Sequence, residues 1–139
     1  MQTFCVATAI VQDGDKFFIA KRAGTKQIKP GLWEFVTGFV EDHESAEDTI
    51  LRELLEEVNA HGTIIRELGC IQMLKGGTRW IVIPFLVSVG DTDIRTVPEE
   101  HSAGKWITWD ELERIPADEF RYDLSAIKRA LHAAPALNQ

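Results

Sequence analysis

Cysteine is scarce in this chain: its 139 residues include only Cys5 and Cys70. The two cysteines lie in separate apolar runs and lack the spacing of a zinc site or a disulfide framework. A cysteine in such a run is most often a buried, inert thiol. We therefore predict two buried thiols and a protein of a reducing compartment.

Long hydrophobic runs and an excess of basic charge are also missing. No apolar run approaches the ~20 residues that a membrane-spanning helix needs, and the N-terminal residues lack the pattern of a secretory signal, so we expect a cytoplasmic protein without a membrane partner. The net charge of −7 argues against a nucleic-acid partner, since nucleic-acid binding relies on Lys and Arg. A phosphorylated small molecule stays compatible with this charge, because bound cations can invert the local field.

No repeat, low-complexity block or linker divides the sequence, so residues 1–139 are predicted to form a single domain. Hydrophobic patterns predict strands at residues 4–11, 17–20, 32–36, 63–74, 79–89 and 105–108. Helices are predicted at residues 46–58 and 123–133, with a brief helical segment from residue 110. This order indicates an α/β fold in which helices cover a mixed sheet.

The predicted helix at residues 46–58 has start and stop signals and two contrasting sides. Ser45 with Asp48 forms a weak capping box, and Asn59 suits a left-handed C-terminal cap. The apolar side, predicted to face the core, consists of Leu51, Leu54, Leu55 and Val58. The opposite side carries three carboxylates, Glu53, Glu56 and Glu57.

The three carboxylates lie on neighbouring helical turns, where like charges repel. A divalent cation would offset this repulsion, since Mg²⁺ prefers oxygen ligands. Hydrolysis of a phosphoric anhydride uses such an ion to neutralise charge and orient water. An acidic helix side taken alone is more often only a solvated surface.

The stretch from Gly38 to Ala60 resembles the Nudix box, G-x5-E-x7-R-E-U-x-E-E-x-G-U, where U is a bulky aliphatic residue. The matching residues are Gly38, Glu44, Arg52, Glu53, Leu54, Glu56 and Glu57. Asn59 stands in place of the late glycine and Ala60 in place of the final aliphatic residue. The resemblance implies the Nudix fold, a mixed β-sheet sandwiched between α-helices (α/β/α). It also implies a hydrolase that uses Mg²⁺, or alternatively Mn²⁺.

The resemblance further implies roles for the box residues. Glu56 and Glu57 are expected to bind the metal, and Glu53 to bind metal or to activate water. Arg52 is expected to orient a box glutamate, and Glu44 to steer the base or a water. The general base stays open among the glutamates, because clustered carboxylates titrate as a coupled set.

Two positions in the loop before the last predicted strand offer a further carboxylate. Many Nudix proteins have an additional metal-binding glutamate in such a loop, and Glu100 is the first candidate and Glu99 the second. His43 and His101 are predicted to be solvated loop residues, since no second ligand is spaced to match either of them.

Four residues ahead of the helix are candidate substrate contacts. Arg22 and Lys29 lie in a basic loop that binds phosphate or merely aids solubility. Trp33 either stacks on a base or packs in the core. Gly38 is expected to let the backbone approach metal or phosphate closely.

The substrate is indicated by residues 31–41. Gly-Leu-Trp-Glu-Phe at residues 31–35 resembles pyrophosphohydrolases of oxidised guanine nucleotides, while Val-Thr-Gly at residues 36–38, followed by Val-Glu, is similar to dihydroneopterin triphosphate pyrophosphohydrolases. We therefore expect a small phosphorylated partner, a nucleoside or pterin triphosphate that loses pyrophosphate. The alternatives are an ADP-ribose or nucleotide-sugar pyrophosphatase, a non-catalytic nucleotide-binding module and an isomerase. A homodimer also stays open.

Overall fold

The computed structural model describes residues 1–27, 30–90, 94–121 and 123–133. The strands of this part of the chain are β1 (Gln2–Asp13), β2 (Lys16–Arg22), β3 (Trp33–Glu34), β4 (Val36–Phe39), β5 (Gly62–Glu67), β6 (Ile71–Lys75), β7 (Thr78–Val89) and β8 (His101–Thr108). The helices are α1 (Ala46–Val58), α2 (Trp109–Glu113) and α3 (Leu124–His132), with a 3₁₀ turn at Ala117–Glu119.

Strand β1 organises the sheet. It runs parallel to β7 along most of its length, and it pairs antiparallel with β4 and with β2. Strand β2 also pairs with β3 and β8, and β7 also pairs with β5 and β6. The sheet is therefore mixed, as predicted.

Helices cover both faces of this sheet because side chains of a strand alternate between its faces. Ala7, Ala9 and Val11 of β1 belong to the hydrophobic cluster that includes Ile50 and Leu54 of α1. The opposite cluster contains Ile10, Ile19, Phe35, Leu112 and Ile127, which brings α2 and α3 against the other face. The predicted α/β/α arrangement is confirmed.

Helix α1 begins and ends at the predicted caps. The Ser45 hydroxyl accepts from the Asp48 amide, the Asp48 carboxylate accepts from the Ser45 amide, and Asn59 adopts a left-handed φ of 57°. The predicted core side was right for Leu54 and Val58, which are buried, and wrong for Leu51 and Leu55, which are 39% and 46% exposed. The buried residues of α1 are Thr49, Ile50, Leu54, Glu57 and Val58. Glu57, one of the glutamates of the box, therefore lies on the core side of the helix.

Several predicted boundaries shift. The predicted strand 63–74 is split between β5 and β6, with Gly69 at φ 91° in the break. Cys70 lies in this break and is exposed, while Cys5 is half-buried, so the prediction of two buried thiols was wrong. The predicted loop ending at residue 104 is also too long, because β8 already begins at His101. None of the helices in the described ranges is long and apolar enough to cross a membrane.

Candidate active site

A pocket of about 190 Å³ opens between the end of β4, the inner side of α1 and the turn that leads into β8. Strand β4 brings Gly38 opposite Ala7 of β1, at the rim of this pocket. The acidic residues that line it are Glu53, Glu57 and Glu100, and the basic ones are Arg22, Lys26 and Arg121. Opposite charges therefore share one small space, with the carboxylates drawn from α1 and from the turn before β8.

Glu57 is the most deeply buried carboxylate of the box. Burial, together with a hydrogen bond with Glu53 and the charge of Glu53, raises its pKa to about 10. Ionising Glu57 here places two negative charges in a poorly solvated space. A divalent cation would remove this penalty, so the donor chemistry of the pair fits such an ion.

Glu53 depends on the glycine of the box. A Cβ built on Gly38 would collide with Cγ and Cδ of Glu53. The structure gives the glycine a reason that was not predicted, because the Glu53 side chain takes the space that a Cβ would occupy. Any larger residue would push this carboxylate out of its place.

Arg52 lies outside the pocket, donates hydrogen bonds to three glutamates and forms an ion pair with a fourth, Glu41, at 3.7 Å. Its guanidinium donates to both carboxylate oxygens of Glu44, at 2.7 and 2.9 Å, and to Glu53 at 2.9 Å and Glu56 at 3.1 Å. The bond from Arg52, with another from the Thr49 hydroxyl, lowers the pKa of Glu44 to about 2. Glu44 in turn raises the pKa of Arg52. These contacts of Arg52, here called the Arg52 clamp, hold the Glu53 carboxylate on one side. On the other side, the missing side chain of Gly38 leaves space for it.

The carboxylates are not equally placed for a metal ion. Glu56 is 58% exposed and does not line the pocket, and Glu100 is paired with Lys26 at 2.6 Å. Within the described ranges, no three acidic, His or Cys side chains are gathered as a ready metal site. The Glu53–Glu57 pair still fits Mg²⁺, which keeps several waters and often takes only one or two carboxylates.

The basic side of the pocket is built on Glu34, which sequence reasoning missed. This carboxylate is 1% exposed and accepts from Arg22 at 3.1 Å, Arg121 at 2.6 Å and His101 at 2.8 Å. Burial alone would raise the pKa of Glu34, but the bond from His101 and the two arginines together lower it. The available signal was a lone acidic residue between Trp33 and Phe35.

Two further pocket residues escaped the sequence analysis, and one buried residue next to Glu57 was misread. Lys26 belongs to the basic loop but was not singled out, and Arg121 carries no local sequence signal. His101 was predicted to be solvated, and this was wrong, because its side chain is completely buried. It is buried because β8 pairs with β2 from Lys16 to Arg22, which turns His101 towards Glu34.

One predicted substrate contact, Trp33, does not line the pocket. It does not line the larger pocket described below either. Its ring packs against the opposite hydrophobic cluster, which contains Ile10 and Ile127, and Nζ of Lys105 lies 4.6 Å from the ring centroid. Lys29 lies outside the described residues. Arg22 and Gly38, in contrast, both line the pocket.

A larger pocket of about 620 Å³ adjoins the first and shares Val6 and Arg121 with it. Its apolar lining comes from Leu32, Met73, Trp80, Val82 and Phe120. The exposed residue Asp118 lies at the same pocket. Its size and apolar walls suit a flat heterocycle, next to a pocket whose charges suit phosphates.

Comparison with known proteins places these features in context. A family model described as NUDIX domain matches residues 2–126. The chain is similar to a CTP pyrophosphohydrolase of Escherichia coli, with 29% identity over 134 residues that cover 96% of this chain and 97% of that protein. It is also similar to an RNA pyrophosphohydrolase of Sphingopyxis alaskensis, with 23% identity over 130 residues and 80% of each chain covered. Its fold matches the crystal structure of a MutT protein from Methanosarcina mazei with a TM-score of 0.82 at 18% identity, over 93% of each chain.

Proposed function

The chain belongs to the Nudix family and is a Nudix-type hydrolase, and from this premise we propose that it hydrolyses a nucleoside or pterin triphosphate and releases pyrophosphate. Nudix hydrolases act on small phosphorylated nucleotide substrates and generally use divalent metal ions. We propose Mg²⁺ as the ion, with Mn²⁺ as a substitute. When bound, it would neutralise phosphate charge and lower the pKa of an attacking water.

The observation that carries this proposal is the division of charge within the small pocket. Glu53 and Glu57 lie on the α1 side, and Arg22 and Arg121 are held on the other side by Glu34. A polyphosphate with a bound cation has a matching pattern of charge, since its oxygens suit arginine forks while its ion suits carboxylates.

We assign the following roles to the chain's residues. Glu53 and Glu57 would hold the metal, and Glu53, oriented by Arg52, would accept the proton of the attacking water. Glu44 holds Arg52 in place. These roles are consistent with the contacts of the Arg52 clamp and with the shared hydrogen bond of Glu53 and Glu57.

The remaining predicted residues have supporting roles. Glu100, which is paired with Lys26 at 2.6 Å, would be a further ligand of the ion, and Lys26 would contact phosphate together with Arg22 and Arg121. Glu56, which is paired with Arg52, would be an outer ligand.

A substrate with a heterocycle is supported by the neighbouring apolar pocket, and a triphosphate in particular by a relative. The two pockets share Arg121, so a heterocycle in the larger one leaves its phosphates in the smaller one. The similarity to a CTP pyrophosphohydrolase over nearly the whole of both chains supports the same class. Asp118, beside the larger pocket, suits an amino group on the heterocycle.

The test is a panel of substrates with Mg²⁺ that separates phosphate from pyrophosphate release. It includes CTP, dGTP, dihydroneopterin triphosphate, ADP-ribose and a nucleotide sugar. We expect pyrophosphate from at least one triphosphate, and cleavage of ADP-ribose or the nucleotide sugar alone would refute the assignment.

Glu57→Gln should reduce turnover at least ~100-fold, which is a loss of about 2.7 kcal/mol of transition-state stabilisation. Glu47→Gln, an exposed position of the same helix, is the matched control.

A second candidate is the 5′-triphosphate end of RNA, favoured by the similarity to an RNA pyrophosphohydrolase. Lys75 and Arg121 at the larger pocket would meet its backbone. The net charge of −7 opposes a long RNA, so we place this candidate second. Faster release of pyrophosphate from a triphosphorylated oligoribonucleotide than from any free triphosphate would reverse the order.

A further inference from the structure

A buried chain of polar groups connects the two sides of the pocket. Glu34 contacts both arginines and accepts from Nε2 of His101 at 2.8 Å. On the other edge of the imidazole ring, Nδ1 of His101 lies 3.8 Å from Oε1 of Glu57. One ring therefore lies between the anchor of the arginines and a carboxylate of the acidic side.

The Nδ1 atom of His101 is buried without a hydrogen-bond partner. Among the described residues, only Nε1 of Trp109 shares this condition. Buried polar atoms are nearly always paired, so an exception at a functional pocket calls for a physical reason. A carboxylate only accepts hydrogen bonds, so each ring nitrogen has to donate towards the glutamate that it faces, Nε2 towards Glu34 and Nδ1 towards the metal-binding carboxylate of Glu57.

We propose that His101 is a positioning residue. Through Glu34, it couples the position of the Glu57 side chain to the positions of Arg22 and Arg121. The inference rests on the proposed function, since it takes Glu57 as a metal ligand and Arg22 and Arg121 as phosphate contacts. A shift of about 1 Å brings Nδ1 into hydrogen-bond range of Glu57. Groups that orient a metal ligand in this way typically change metal affinity 10–100-fold when replaced.

The alternative is that His101 serves only to fill and stabilise the core. A structural role alone predicts lower stability without a change in the affinity of the folded protein for metal or phosphate. The two roles are therefore separated by binding measurements on folded protein, with no need for turnover.

The experiment measures the Kd of Mn²⁺ and the Kd of inorganic pyrophosphate for the wild type and three variants. Each ligand is titrated separately by calorimetry. In His101→Gln, the side-chain amide still donates towards Glu34 but offers nothing at the position of Nδ1. Glu34→Gln removes the charge that holds both arginines and the partner of His101. Trp109→Phe removes the other unpaired buried nitrogen, away from the pocket, and is the control. Circular dichroism and thermal unfolding establish the folded fraction of each variant.

We expect His101→Gln to raise the Kd for Mn²⁺ about tenfold or more and to leave the Kd for pyrophosphate within about twofold. Glu34→Gln should weaken the binding of both probes, and Trp109→Phe neither. Unchanged Mn²⁺ affinity in folded His101→Gln would overturn the inference. If that variant does not fold, unchanged affinities in Glu34→Gln would overturn it equally. A wild-type protein that does not bind Mn²⁺ would refute the proposed function itself, and the inference with it.

Discussion

The replacement of Glu57 by Gln is expected to stabilise the protein when metal is absent. Burial, with the hydrogen bond to Glu53 and the charge of Glu53, raises the pKa of Glu57 from 4.5 to about 10. At pH 7 the side chain is therefore protonated in the folded state and ionised in the unfolded state. Folding must take up this proton, which costs about 1.4 kcal/mol for each pH unit above 4.5, or about 3 kcal/mol at pH 7. Gln has nearly the same shape and no such cost.

The sign of the pH dependence follows from the same shift. Above pH 4.5 the folded state binds more protons than the unfolded state, so the stability of the metal-free wild type falls as pH rises towards 10. In EDTA the variant should match the wild type near pH 4.5 and unfold at a temperature roughly 10 °C higher at pH 7. Differential scanning calorimetry across this range measures both differences.

Adding Mg²⁺ should reduce the difference in stability between Glu57→Gln and the wild type. At 100 times its Kd the ion stabilises the wild type by about 2.7 kcal/mol, and it stabilises the variant less because a ligand has been lost. Glu47→Gln should follow the wild type at every pH. A metal-free Glu57→Gln protein that is less stable than the wild type at pH 8 would refute the description of Glu57 as a buried, neutral carboxyl.

Three further predictions concern the surroundings of the pocket. Gly38→Ala should displace Glu53 and lower turnover about 10²-fold with little change in the unfolding midpoint; unchanged turnover would contradict the close packing of Glu53 over Gly38. Glu44→Gln should lower the urea midpoint most above pH 5. The bond from Arg52 lowers the pKa of Glu44 to about 2, and the stabilising effect of this bond disappears as pH falls towards that value. A difference in urea midpoint between wild type and variant that grows on acidification would contradict this. Cys70 should react with iodoacetamide in the native protein, as detected by mass spectrometry, because it is exposed; labelling only after denaturation would contradict its place in the break before β6.

Local signals in the sequence predicted the helix that carries the acidic residues, but not how it is turned. The caps at Ser45 and Asn59 depend on neighbouring residues alone, and both are present in the structure. Two adjacent rows of α1 are apolar, one through Ile50 and Leu54 and the other through Leu51 and Leu55. Helical spacing does not distinguish the two rows. Packing against β1 selects the first row, and this choice brings Glu57 into the interior.

The amino-acid sequence by itself determined the family and the layered fold. It also determined the pair of carboxylates that α1 brings to the pocket, because Glu53 and Glu57 are four residues apart on one helix. Only the tertiary structure decided the basic side. Glu34 lies 67 residues from His101 and 87 residues from Arg121 along the chain. These residues meet because β2 pairs with both β3 and β8, so that Arg22 lies opposite His101. Such distances arise from the pairing of remote strands, and no local spacing encodes them.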